Sequence, residues 1–508
     1  MPYARPTQRL ARRRGLLAAA AVHLALTIPL AALCSVDVDE AYSLATSGLP
    51  FGHVLHRALT FELQPPLYFL ALHAWRVVDG GVFWARLLSV ACAAGVVLLA
   101  PGVIRRFVPS VPGAVAAALL AVNPVLVWAA ITARGYAAIA LLSTLLLGLA
   151  HRAFLGDAPR ARAAIAYGVT AAAALHTQYY LGFLLAGLGL ALVAAGRWRA
   201  VGAYALCMLA VAALSTPLFL YTGAQMAAHT TAGAKPGLAG SVAEAARHAE
   251  SLVLSMHAVS FGRAGRWVAR LLFWGAAAWS VAGALRTRAS LANVGVLAGV
   301  AATMVAGYGV ARSLTSVEAM SMRHTVALLV PALALTLALL TARPGAARTL
   351  AVGALVAVVM SADALWLDYR DLDSNPPHKA IVAWVEARPD LRPEQPLLVF
   401  PAESALALPY HVTVPNRVVP LPVPPSLTVY DPRSDAITSE AALEAAVAPA
   451  IGPSGEAWLL WYSQRSFLGV DLGSAVLERW LDRAFDVVEQ ADLEDCRVLH
   501  LRRRAGPR

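Results

Sequence analysis

The segment SVDVDEAYSLATSG, residues 35–48, places three carboxylates, Asp37, Asp39 and Glu40, within four positions. Asp37 followed three residues later by Glu40 has the pattern of a capping box, and acids in a first turn suit the positive end of a helix dipole. Those roles account for Asp37 and Glu40 but leave Asp39 little to do. A carboxylate directly after an apolar run is a reasonable general base. Arg86 lies four residues inside another apolar block, where a charge is costly to keep and usually functional. Arg134, Arg323 and His324 fall at the ends of apolar blocks, where such side chains either anchor by snorkelling or hold an anion such as phosphate. Cys34, Cys92 and Cys207 lie in or beside apolar blocks and Cys496 stands alone, so neither a disulfide framework nor a cysteine metal site is expected. No glycine-rich phosphate loop, HExxH helix or serine elbow occurs in a suitable context.

The elements that position these residues follow from composition. Of 508 residues, 59% are hydrophobic and 14% charged, against about 25% charged in a typical soluble domain. The apolar content falls in blocks of 15 to 22 residues, and a helix needs about 20 to cross a roughly 30 Å hydrocarbon core. Eleven spans are predicted, near 15–34, 82–101, 113–131, 134–151, 163–177, 179–195, 201–221, 266–285, 291–311, 323–341 and 348–366. The block 65–78, PPLYFLALHAWRVV, opens with two prolines and fits an interfacial helix better than a span. Read so, the cytoplasmic segments hold sixteen arginines against one acid, Asp157. The positive-inside rule is then met at every loop, with the N-terminus inside and the C-terminal domain outside. The basic N-terminal arginines before an apolar run also imitate a signal peptide, but 16–34 is long enough to span and reads as an uncleaved helix. The formal charge of +11 is spread between the blocks rather than gathered on one face, which excludes nucleic acid as the partner.

The fold class is thus an α-helical polytopic membrane protein with a C-terminal soluble α/β domain. The membrane domain covers 1–366 and includes a large first outer loop, 36–81, while the soluble domain covers 367–508. Beyond Trp366 the chain turns proline-rich and charged, with DYRDLDSNPPHK as a hinge. LLVF (397–400) and WLLWYS (458–463) read as strands, and 380–387 and 477–484 as helices.

An ordered series of short motifs resembles one family. DEAYSLA (39–45), QPPLYFLALHAW (64–75), ARLLSV (85–90), ARGYA (133–137), LHTQYY (175–180) and MRHTVALLVPAL (322–333) run through about the first 340 residues. They resemble the GT-C class of lipid-linked-sugar glycosyltransferases, specifically protein O-mannosyltransferases and bacterial aminoarabinose transferases. The resemblance implies that Asp39 is the catalytic base with Glu40 beside it, and that Arg86 is similarly important. It also brings in His176 and Tyr179. Many relatives have histidine where this chain has Gln64, so a ligand or acid role there is in doubt.

What the resemblance implies is an inverting transfer of one sugar from a polyprenyl-phosphate donor to a lipid, glycan or protein acceptor on the outer face of a bacterial membrane. The leaving group is already good, so the enzyme must deprotonate an acceptor hydroxyl and neutralise a departing phosphate, work done by positioning and electrostatics. Arg86, Arg134, Arg323 and His324 are the expected phosphate ligands. A divalent cation is a further candidate, since carboxylates suit magnesium, calcium or manganese. The rival class is a transporter or flippase of lipid-linked material, which would place polar groups or broken helices at mid-membrane. Here the polar residues collect toward one face, which favours the enzyme. A transferase-like scaffold without activity is a third reading.

Overall fold

The computed structural model describes residues 6–156, 160–229, 237–255, 260–287, 291–314, 322–370, 372, 377–414, 416–428, 431–467, 470–493 and 495–504. Asp157, Arg288, most of 315–322 and much of the hinge after Arg370 lie outside them or have no described side chain. The chain divides into two compact units, one of Met1–Ala32, Gln64–Ala224 and Ala234–Arg370, the other of Leu33–Leu63, Gln225–Gly233 and Asp371–Arg508. The sequence division at 366 and 367 kept the whole 36–81 loop with the membrane helices. The compact units instead group residues 33–63 with the C-terminal domain.

The first unit is helical. Among the described residues, eight helices are long and apolar enough to cross a membrane: Arg13–Leu33, Val82–Phe107, Tyr136–Ala153, Trp198–Gly223, Gly262–Arg286, Ala292–Leu314, Arg323–Leu340 and Ala347–Tyr369. The pair Gly113–Ala121 and Pro124–Ile131, bent by 57°, makes a ninth if it is one span. The bend has a local cause. Asn123 precedes a proline and is pushed out of the helical region to ψ 119°. Its Oδ1 then accepts the Leu126 N–H at 3.0 Å, and its Nδ2 donates to the Leu252 carbonyl at 2.7 Å.

The two remaining blocks form helices Ala161–Leu175 and Leu181–Ala194, of 15 and 14 residues. At 1.5 Å per residue they reach about 22 and 21 Å, short of a roughly 30 Å hydrocarbon core. All eleven expected spans therefore carry helix, but length and composition support up to nine as crossings. Helix Leu67–Arg76 has 10 residues and reaches only about 15 Å, as an interfacial helix would. Leu206, Leu209, Leu214 and Leu220 on the Trp198–Gly223 span are each more than 60% exposed. Such a leucine face matches lipid rather than water.

The second unit is built on a five-stranded sheet. Its spatial order is Val418–Pro420, Leu397–Phe400, Glu456–Tyr462, Cys496–Arg503 and Phe485–Leu493. The first three strands are parallel, and the last two pair antiparallel. Leu397–Phe400 is buried at all four positions, as a strand covered on both faces should be. Successive side chains alternate between two cores. Leu398 and Phe400 pack with Leu459, Trp480 and Leu443 on one face, while Leu397 and Val399 pack with Ile381, Val385 and Trp458 on the other. The expected strands and helices are present as Leu397–Phe400, Glu456–Tyr462, His378–Glu386 and Ser474–Ala484.

Candidate active site

In the second unit, the acid-rich segment forms helix Val38–Ser47. Asp37 is its N-cap, and its Oδ1 accepts the Glu40 N–H at 2.6 Å. The capping expectation therefore belongs to Asp37. Glu40 is 1% exposed and Asp39 is half-buried, one position before it in the first turn. Asp39 is thus an acid in a good electrostatic setting that is not the cap. Thr46 Oγ1 donates to Glu62 Oε1 at 2.8 Å, and the Tyr42 and Phe61 rings meet edge-on at 5.1 Å. These contacts fold residues 51–63 back against the acid helix.

The same unit brings C-terminal residues to this segment. His411 Nε2 lies 3.0 Å from the Val36 nitrogen and 3.1 Å from Ser35 Oγ. A backbone amide only donates, so Nε2 is the unprotonated ring nitrogen in this arrangement. Arg57 Nε donates to the Leu427 carbonyl at 2.8 Å. Tyr42 hydrogen-bonds the Glu403 carboxyl. Burial pushes that carboxyl up to about 7, with Asp435 adding a smaller upward push against the Tyr42 bond. His378 is driven the other way, down to about 4, chiefly by burial, with the nearby His411 adding a smaller push in the same direction.

In the first unit, Arg86 is the fifth residue of helix Val82–Phe107 and is 2% exposed. Its Nη1 donates to the Ala31 carbonyl at 2.9 Å, near the end of helix Pro6–Leu33. A guanidinium suits a helix C-terminus, so Arg86 also has a structural bond. The start of its helix is fixed by two tryptophans. The Trp75 and Trp84 rings stack at 4.9 Å, and each indole N–H donates to the other's carbonyl, at 2.7 and 2.9 Å.

Arg134, 6% exposed, lies in the break between helices Pro124–Ile131 and Tyr136–Ala153. Its carbonyl accepts from Ser89 Oγ at 3.3 Å, and Ser89 sits about one turn beyond Arg86. The two arginines are thereby carried on adjoining backbone. A Cβ at Gly135 would come 3.3 Å from the Tyr68 ring, so glycine lets the Leu67–Arg76 helix pack close beside Arg134. Leu67 N–H in turn donates to the His176 carbonyl at 2.9 Å. The Ser89 hydroxyl, the Tyr68 ring and the Leu67 N–H thus bring the backbone of Arg86, Arg134, His176 and the Gln64-Pro65-Pro66 segment into one neighbourhood of the first unit. Gln64 is half-buried and follows Leu63, whose φ of 51° is in the left-handed region.

Other expected site residues have local partners. His176 Nδ1 is 2.9 Å from the Ala172 carbonyl on its own helix, and Tyr179 donates to Thr222 Oγ1 at 2.7 Å. Arg323 and His324 lie in the 3-10 helix Met322–Leu328, with His324 edge-on to Tyr180 at 5.9 Å. Ser143 Oγ donates to the Ala327 carbonyl at 2.7 Å, tying that helix to the one that begins just after Arg134. Sequence reasoning missed Glu403 and His411, while Ser89 and Tyr68 lay unremarked within the quoted ARLLSV and PPLY motifs. Among the described residues no group of three or more His, Cys, Asp and Glu could hold a metal ion.

No protein-family model matches this chain, and no curated protein matches it. Solved structures do. The oligosaccharyltransferase of Archaeoglobus fulgidus in the apo form matches with a TM-score of 0.48 at 12% identity, over 89% of this chain and 69% of that one. ArnT from Cupriavidus metallidurans bound to undecaprenyl phosphate gives 0.48 at 16% identity, over 95% and 97% of the two chains. The same ArnT in the apo state gives 0.56 at 16% identity, over 96% of this chain and 98% of ArnT. The likeness to apo ArnT runs through nearly the whole of both chains, so this chain shares the fold of that protein.

Proposed function

We propose that this protein is an inverting membrane glycosyltransferase that moves one sugar from a polyprenyl-phosphate donor to a hydroxyl acceptor on the outer face of the membrane. Asp39 takes the acceptor's proton, Glu40 supports it, and Arg86 and Arg134, with Arg323 and His324, stabilise the departing phosphate. The acceptor oxygen attacks the sugar's anomeric carbon as the bond to phosphate breaks. The proton leaves to the Asp39 carboxylate, and the lipid phosphate carries away the negative charge.

The observation that carries this reading is Arg86, a guanidinium held 2% exposed on an apolar helix and joined through Ser89 to the backbone of the buried Arg134. Keeping such charges inside a membrane unit is expensive, and an anionic ligand is the economical reason for it. The fold shared with ArnT supports the reaction class.

Mass spectrometry of cell-envelope lipids, glycans and glycoproteins, with and without the protein, is the test. The expected outcome is loss of a single-sugar mass increment from one class of acceptor in its absence. Unchanged profiles across all three classes would remove the proposal.

A further inference from the structure

The second unit contains both the acid helix and the C-terminal domain from Asp371 onward. His411 holds the residue immediately before the Asp37 cap, through the Val36 N–H and the Ser35 hydroxyl, at 3.0 and 3.1 Å. Glu403 holds Tyr42, which is 7% exposed. Residues 36 and 42 lie three positions before and three positions after Asp39, so the two contacts bracket it. A third tie, Arg57 Nε to the Leu427 carbonyl at 2.8 Å, fixes the return helix Phe51–Thr60.

The residues behind these contacts are anchored in the core of the C-terminal domain. Glu403 is in the 3-10 helix Ala402–Leu406, which directly follows the fully buried strand Leu397–Phe400. His411 follows the next short turn, Leu408–Tyr410. Leu408 and Ala405 belong to the same core as Val399 and Trp458. An acid helix of 10 residues is too short to be stable alone in water, so its geometry must come from what it packs against. A base displaced by even about 1 Å loses much of its effect.

We propose that the C-terminal domain is the positioning frame of the candidate base: Glu403, through Tyr42, and His411, through Val36 and Ser35, are positioning residues that hold the first turn of the acid helix in its working place. Neither acts on substrate. The inference rests on the assignment of Asp39 as the base, and it gives the C-terminal domain a part in the reaction. Raising Glu403 toward neutrality leaves it able to accept from Tyr42 as carboxylate or as acid, so the tie survives across ordinary pH.

The test uses the full-length protein in detergent and in cells. Hydrogen exchange, read by mass spectrometry, is compared between wild type, Glu403→Ala, Tyr42→Phe, His411→Ala and Glu403→Gln. Loss of one such hydrogen bond should raise exchange over residues 36–47 by about fivefold to tenfold while strands 397–400 and 456–462 stay protected. Glu403→Gln, which keeps an acceptor for Tyr42, should exchange like wild type. In cells, the single-sugar product should fall in the three disrupting variants and recover in Glu403→Gln at equal abundance. If Glu403→Ala unfolds the domain, Tyr42→Phe decides, since it removes one hydroxyl and no core volume. Unchanged exchange at 36–47 in Tyr42→Phe would overturn the frame. So would raised exchange with undiminished product, provided Asp39→Asn abolishes that product. If Asp39→Asn retains full product, the assignment of the base fails instead, and the exchange data still decide whether the frame exists.

Discussion

At Arg86 two physical roles meet in one side chain, a bond to the Ala31 carbonyl and a buried positive charge. They predict different mutants. Arg86→Lys keeps the charge but loses the planar fork that grips phosphate, so it should recover little activity, and Arg86→Ala should weaken donor use far more than it lowers abundance. Donor-dependent product formation at matched protein levels is the measurement, and full activity in Arg86→Ala would end the phosphate assignment. Glu403 gives a second residue-scale prediction. Burial lifts its carboxyl from an ordinary 4.5 to about 7, so within that window the folded protein holds a proton that the unfolded chain has released. Stability therefore falls as pH rises through the window. His378, lowered to about 4, opposes this, since its contribution is complete above its ordinary 6.5 and is lost as pH falls through that window. Glu403→Gln does not ionise. Its melting temperature relative to wild type should climb from about pH 5 and level off above about pH 7, and a flat difference would contradict the buried acid. The acids of the second unit's Val38–Ser47 helix and the arginines of the first unit were legible because charges are rare in or beside apolar sequence. Glu403 and His411 were not, because PAESALALPYH has no charge pattern that marks it.

Helices were the most legible elements, since every expected apolar block became one. What the sequence could not show was length after breaks. Block 163–177 becomes a helix of only 15 residues shifted to Ala161–Leu175, block 179–195 shortens to 14 helical residues, and block 113–131 bends at Asn123-Pro124. The latter break is readable in hindsight, because asparagine before proline both leaves the helix and caps the next one. The PPLY block was correctly read as short, and helix Leu67–Arg76 cannot cross. Its consequence is a topology prediction. Reporter fusions after Gly81 and after Trp366 should both read as external, because the sixteen loop and N-terminal arginines then lie inside. A cytoplasmic signal at either site would overturn the orientation.

For the molecule as a whole, the division into membrane and soluble parts was visible in composition, but the membership of residues 33–63 was not. Val36 meets His411 across 375 positions, and no local pattern encodes so distant a partner. The result is that the acid helix and the C-terminal domain form one unit, while the arginines belong to the other. The reading of the whole as a transferase depends on Asp39. Asp37 is the cap, and asparagine caps nearly as well as aspartate, so Asp37→Asn should leave most activity intact. Asp39→Asn keeps the side chain's shape but removes the base. The decisive measurement is the rate of single-sugar transfer in cells lacking the native protein and supplied with wild type, Asp37→Asn or Asp39→Asn at equal abundance. The account predicts a loss of roughly 100-fold or more for Asp39→Asn, with near-normal transfer for Asp37→Asn. Equal and mild effects at both positions would contradict it, and would move the search for the base to Glu40 or Glu62.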